Sequence, residues 1–290
     1  MKLTEKEIVL SSNRHKCLIC NSEKRQKLML FRETDLDNKK CYNLFKCKNC
    51  GLIRPLPLPY TEKNKIEIYD FKHEDIKIDF ESLESKHGLK NFKPYIKFIK
   101  QYHIKGNTLD IGCGGGFLLY LTQEIGLISE GIELNNSLVN ALNQKGFKVY
   151  NQELGNNIYQ NKKYDLITAN HVLEHIDDLN SFLQEVQKLL NSGGYFIFAI
   201  PYIYGIIPKI MRTKWYGQGY GKHLNFFSIK SIKKLFKNNN FKVIKIEKRS
   251  MDYTKHNMPK TLIKIINLIL KIIIDLKCGD NLFVIVKTEN

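Results

Sequence analysis

Leu109-Asp110-Ile111-Gly112-Cys113-Gly114-Gly115-Gly116-Phe117 joins a short apolar strand to a glycine-rich turn, which then enters an apolar helix over 117–122. Glycine in such a turn lets a ligand lie against the backbone, and the helix N-terminus behind it offers unpaired N–H groups. The dinucleotide fingerprint G-x-G-x-x-G is broken, because Phe117 stands where its third glycine is needed. The spacing is instead D-x-G-x-G-x-G, carried by Asp110, Gly112, Gly114 and Gly116.

Outward from this turn the chain alternates strands with helical or linker stretches. A helix over 92–102 precedes the strand at 108–111, and further strands are expected at 129–133, 147–150, 164–169, 195–200, 241–247 and 282–286. This order predicts an α/β fold, a Rossmann-like doubly wound sheet of seven mostly parallel strands, over 86–290. Glu133 ends the strand after the glycine turn, where a carboxylate can accept hydrogen bonds from ribose hydroxyls.

Asp110, the three spaced glycines and Glu133 together resemble the cofactor motif of class I S-adenosylmethionine-dependent methyltransferases. The likeness extends through Tyr164-Asp165-Leu166-Ile167-Thr168-Ala169-Asn170-His171-Val172-Leu173-Glu174-His175-Ile176 and through the Asn191-Ser192-Gly193-Gly194 turn. It implies that S-adenosylmethionine is the cofactor, with Asp110 orienting its amino-acid end and Glu133 holding its ribose. Gln152 or Glu153 would approach the adenine, and Asn170 and His171 would lie near the methionine portion. Methyl transfer to a hydroxyl needs a base, and the candidates are His223, His175 and His171. His223 is favoured because it follows a long aromatic loop over 201–222, read either as a stacking lid or as packing. His171 and His175, four residues apart, are expected on one helix face with Glu174 beside them.

The N-terminal 54 residues carry different chemistry. Cys17-Leu18-Ile19-Cys20 and Cys47-Lys48-Asn49-Cys50 form two C-x-x-C knuckles, the spacing that closes a four-thiolate zinc site. A closed site is structural, so a small zinc ribbon with a bound Zn²⁺ is expected, followed by a Pro-rich connector over 55–85. Such ribbons recur before methyltransferase domains of bacterial enzymes that act on sugars or glycans. The resemblance therefore implies O-methylation of a sugar of a surface glycan, or of a related small intermediate.

The formal net charge of +17 comes almost wholly from dispersed lysine, with arginine only at Arg14, Arg25, Arg32, Arg54, Arg212 and Arg249. Dispersed lysine reads as solvated surface more readily than as a phosphate track, so an RNA methyltransferase is the less favoured reading. A non-catalytic adaptor with a degenerate domain is argued against by the intact glycine turn and Glu133. A charged N-terminus with a short apolar run predicts no cleavable leader and a cytoplasmic protein, in which the seven cysteines stay reduced. An amphipathic helix over 260–276 has a narrow polar stripe of Lys264, Asn267, Lys271 and Asp275; it is too short to span a bilayer but could touch the inner membrane face.

Overall fold

The computed structural model describes residues 16–34, 41–56, 58, 78–81, 89, 91–155, 162–212, 215, 217, 219, 222–250 and 279–289. The helix expected over 260–276, most of the connector, and Tyr216 and Tyr220 of the aromatic loop lie outside the described residues. Among the described residues no helix is long and apolar enough to cross a membrane.

Strands β1 (Arg25–Thr34), β2 (Cys41–Cys47) and β3 (Ile53–Leu56) form an antiparallel three-stranded ribbon. The third strand runs into the Pro-rich segment: Pro55 lies opposite Leu44 and Leu56 opposite Asn43. Proline suits a sheet edge, where its missing N–H breaks no ladder.

Helix α1 (Lys93–Gln101) leads into the second sheet, and it buries Tyr95, Phe98 and Ile99 on one side, as helical spacing dictates. There follow β4 (Asn107–Ile111), α2 (Phe117–Glu124), β5 (Ile128–Glu133), α3 (Asn136–Gln144), β6 (Lys148–Asn151) and β7 (Tyr164–Asn170). The chain continues through a 3₁₀ turn (Leu173–His175), α4 (Leu179–Leu189), β8 (Leu190–Pro201), α5 (Ile206–Met211), α6 (Ile229–Asn238), β9 (Phe241–Arg249) and β10 (Asn281–Thr288).

The seven strands lie in the order β6-β5-β4-β7-β8-β10-β9, with β10 antiparallel to both neighbours. All seven expected strands are present. Central strands such as β7 and β8 are buried almost throughout, which is why they read as continuous apolar runs rather than alternating ones. The order reverses between β4 and β7, and ligands of open α/β sheets bind outside the carboxyl ends of the strands at such a switch.

The ribbon is no satellite. Cys17, Ile19, Cys47, Cys50 and Leu52 belong to the same buried cluster as Ile232, Leu235 and Phe236 of α6. Leu44 and Ile53 pack with Ile203, Ile207, Trp215 and Phe226 from the aromatic loop and the segment after it. Trp215 is fully buried and donates its indole N–H to Asp280 at 2.9 Å, while Tyr204 donates to the Gly51 carbonyl at 2.5 Å. The described aromatics of the loop are therefore packing between ribbon and sheet, and not a stacking platform.

Candidate active site

The glycine turn has its backbone set by sterics. Gly112 has φ of 63°, and a Cβ there would stand 2.8 Å from Val172 Cγ2; Gly116 has φ of 75°, and its Cβ would collide with Leu142. A Cβ at Gly114 would meet nothing within 4 Å, so the turn is open on that side. Glu133 at the end of β5 closes the loop: its Oε2 accepts from Gly114 N at 2.9 Å, and its Oε1 from Leu134 N at 2.8 Å and Asn135 N at 3.0 Å. The carboxylate is thus aimed by three backbone donors, which leaves about one of its roughly four acceptor positions for a ligand.

A cleft of about 420 Å³ opens at this point, at the β4–β7 switch. Gly112, Glu133, Gln152, Glu153, His171 and His175 all line it. Gln152 is buried, and its side-chain nitrogen has no hydrogen-bond partner among the described residues. An unsatisfied buried amide is costly, and a heteroaromatic acceptor in the cleft would satisfy it. Asp110 sits beneath the turn, accepting from Thr168 Oγ1 at 2.7 Å. Burial pushes its carboxyl up to about 7, an effect that Thr168 opposes and the charge of Glu133 reinforces. Asn170 accepts from the buried Tyr95 hydroxyl at 3.2 Å.

The histidines do not share an α-helical face. His171 leaves β7 with φ of 59°, and only a 3₁₀ turn follows, so the expected helix after β7 is replaced by a tight bend. The bend turns Glu174 inward, fully buried, where its Oε1 meets His171 Nδ1 at 3.0 Å. Burial works to raise the Glu174 carboxyl, but the hydrogen bond from His171 leads the opposing effects that outweigh it and hold the group low, at about 2. His223 does not stand at the mouth of the cleft: it is buried behind His175, the ring centroids 4.8 Å apart. Burial lowers both imidazoles, His223 to about 3, so both are neutral. Nothing in the spacing of His171, His175 and His223 announced the buried carboxylate at their centre, although Glu174 sits between two of them in sequence.

The ribbon holds the segment that carries His223. Ile53 and Phe226 exchange backbone hydrogen bonds at 2.9 Å each, Arg54 Nε donates to the Leu224 carbonyl at 3.2 Å, and Ser228 Oγ donates to the Cys50 carbonyl at 2.6 Å. Arg54 also pairs with Asp177 at 2.7 Å, both largely buried. Sequence reasoning missed Arg54 and Asp177, 123 residues apart. The four knuckle sulfurs converge: Cys17 to Cys50 and Cys20 to Cys47 are each 3.5 Å, and all four lie within 4.8 Å of one another. A tetrahedral ion with ~2.3 Å bonds to sulfur sets edges of ~3.8 Å, so the group fits zinc. The thiol of Cys50, hydrogen-bonded to Cys17, holds Cys17 down to about 5.

The fold and this cleft define a Rossmann-like, S-adenosylmethionine-dependent methyltransferase of class I. Residues 85–246, more than half of the chain, match the family model described as a methyltransferase domain, and the chain belongs to that family. It is 26% identical over 229 residues to a ubiquinone biosynthesis O-methyltransferase of Pelagibacter ubique, covering 74% of this chain and 88% of that protein. It is 25% identical over 154 residues to an uncharacterised protein of Methanocaldococcus jannaschii, covering 53% of this chain and 73% of the other. In fold it is similar to a SAM-dependent methyltransferase from Archaeoglobus fulgidus, with a TM-score of 0.52 at 21% identity over 70% of this chain and 94% of that one.

Proposed function

We propose that this methyltransferase acts on a hydroxyl oxygen of a small acceptor, a sugar of a bacterial surface glycan or a related biosynthetic intermediate. The observation that carries the reading is that His171 and His175 line the same cleft as Gly112 and Glu133. A proton acceptor therefore stands across the cleft from the groups suited to the cofactor. The O-methyltransferase name of the Pelagibacter relative supports oxygen as the atom attacked, and the ribbon in front of the domain supports the sugar.

The cofactor supplies a methyl group already activated by sulfonium. Glu133 would hold a ribose hydroxyl, the Gly112–Gly116 turn would pack beside the amino-acid end over Asp110, and Gln152 or Glu153 would approach the adenine. Asn170 and His171 border the methionine end. His175 accepts the acceptor's proton from the cleft, and His223 behind it fixes the ring. The bound cofactor would offer its methyl carbon to the acceptor oxygen with the sulfur as leaving group, so what these residues contribute is mostly alignment. Cys17, Cys20, Cys47 and Cys50 would hold a structural Zn²⁺ that keeps the ribbon folded.

The test is incubation with methyl-labelled S-adenosylmethionine and separate pools of sugar nucleotides, glycans, quinone precursors and RNA. Label in an alkali-stable ether of a sugar is expected; label only in RNA or only in a quinone precursor overturns the sugar assignment. His175→Ala should abolish transfer to that acceptor while S-adenosylhomocysteine binds unchanged.

A further inference from the structure

Glu174, His175 and His223 each bring one ligand-type atom within 4.8 Å of the others. They come from two segments tied face to face: the Glu174 carbonyl accepts from Leu224 N at 2.7 Å and Asn225 N at 3.0 Å, and Asn225 Nδ2 donates to the Ile176 carbonyl at 2.6 Å. The grouping is therefore held by backbone, independently of where the side chains rotate.

The hydrogen bonds around the three residues fix which atoms keep a lone pair for an ion. His175 Nδ1 donates to the Lys222 carbonyl at 2.8 Å, and His223 Nδ1 donates to the Gly217 carbonyl at 3.1 Å. A carbonyl only accepts, so each ring carries its proton on Nδ1 and its lone pair on Nε2. Glu174 shows the same division. Its Oε1 is engaged by His171, whose Nε2 in turn meets Asn281 Nδ2 at 3.3 Å, whereas its Oε2 is buried with no hydrogen-bond partner among the described residues. Oε2 is thus a buried carboxylate oxygen whose lone pairs no hydrogen bond engages, the state that a further donor or a cation would relieve.

We infer that Glu174, His175 and His223 form a second metal site, distinct from the cysteine cluster, that takes a divalent transition-metal ion through one carboxylate oxygen and two imidazole nitrogens. Two histidines and one glutamate, with an open fourth position, are a zinc-type set used where the ion meets a substrate. The surrounding bonds are those that orient metal-bound histidines, an Nδ1–H given to a backbone carbonyl and a carboxylate supported by a further donor. Bonds of ~2.1 Å to a shared ion require the three atoms to close by only about 1 Å. His175 is partly exposed and lies on the cleft wall, so an ion held there would adjoin the cleft. The site deepens the hydroxyl reading above: an acceptor oxygen on the ion would lose its proton more readily, so in the metal-loaded protein His175 would serve as a ligand in place of the proton acceptor named above, and the proton would pass to water in the cleft. Metal binding itself does not rest on that reading.

The test is Co(II) titration of the full-length, chelator-stripped protein, followed by absorption spectroscopy. Thiolate ligands give intense sulfur-to-cobalt charge transfer, whereas a nitrogen and oxygen site gives weak d–d bands alone. Two equivalents are expected per chain, one of each kind. His223→Ala and Glu174→Gln should weaken the thiolate-free site by more than the ~10- to 100-fold typical of losing a supporting hydrogen bond, with the thiolate band unchanged. Retained affinity for S-adenosylhomocysteine reports folding, and His175→Asn, at a partly exposed ligand, serves where a buried variant fails that control. Thiolate bands alone in the wild type, or identical stoichiometry in wild type and His223→Ala, overturn the site. Cobalt binding without methyl transfer to any hydroxyl would instead count against the acceptor reading.

Discussion

The two ends of the cleft are built in opposite ways. On the cofactor side Gly112, Gly114, Glu133 and Gln152 fall within 41 positions and are placed by one strand-turn-helix unit and the strands beside it. On the side proposed for the acceptor, Glu174 and His175 meet His223 about fifty positions later, and Arg54 reaches back from the ribbon to brace both segments. The first arrangement is local sterics, where a single Cβ is enough to disturb it. The second is a tertiary assembly, whose parts are held by backbone bonds between distant segments and by an ion pair.

The largest effect should come from the local side. Gly116→Ala adds a Cβ against Leu142 at φ of 75°, and overpacking together with the left-handed backbone should cost roughly 2–4 kcal/mol in denaturant melts. A fully stable variant would show that the turn is set by something other than this contact. Next, Glu133→Gln keeps the shape but removes the charge that three N–H groups converge on. The affinity for S-adenosylhomocysteine, read by calorimetry, should fall by ~1.5–3 kcal/mol, the range for hydrogen bonds to charged groups.

Arg54→Met sharpens the contrast, because it cuts the brace without touching the cofactor side. A loss of about 1–2 kcal/mol in stability and a fall in transfer are expected, with cofactor affinity unchanged. Equal losses at both ends would mean that the two halves are one cooperative unit. The smallest effect is the pH response of Asp110. Its folded carboxyl titrates at about 7, above the unfolded value of ~3.9, so folding takes up a proton between these limits. The group's stabilising contribution is complete at low pH and disappears as pH rises through 7. The stability of wild type relative to Asp110→Asn should therefore rise by about 1 kcal/mol from pH 8 to pH 6 in ligand-free protein. A difference that is flat across that window would mean that Asp110 stays ionised under the turn.

Some of the sequence expectations met a different geometry, and the reasons are physical. The helix expected after β7 would have stacked His171 over His175; the positive φ of His171 and the 3₁₀ turn replace it, because Glu174 turns inward to the imidazoles. His223 is the base the sequence favours, because it follows the long aromatic loop. The Ile53–Phe226 bridge instead pulls its segment under the ribbon, which buries it. The aromatic loop had two readings in the sequence, and contacts between Trp215 and Asp280 and between Tyr204 and Gly51 decided for packing in the described part.

By itself the sequence determined the seven strands, the glycine turn with its carboxylate one strand away, and two thiol knuckles. All of these depend on short-range periodicity, on φ values open mainly to glycine, or on ligand spacing within a few residues. Only the tertiary structure decided that the ribbon shares the catalytic domain's core, that Arg54 braces Asp177, and that a buried glutamate gathers two histidines at one point. Those contacts join residues tens to more than a hundred positions apart, and no local pattern encodes which of many polar side chains will meet once the apolar faces have found each other.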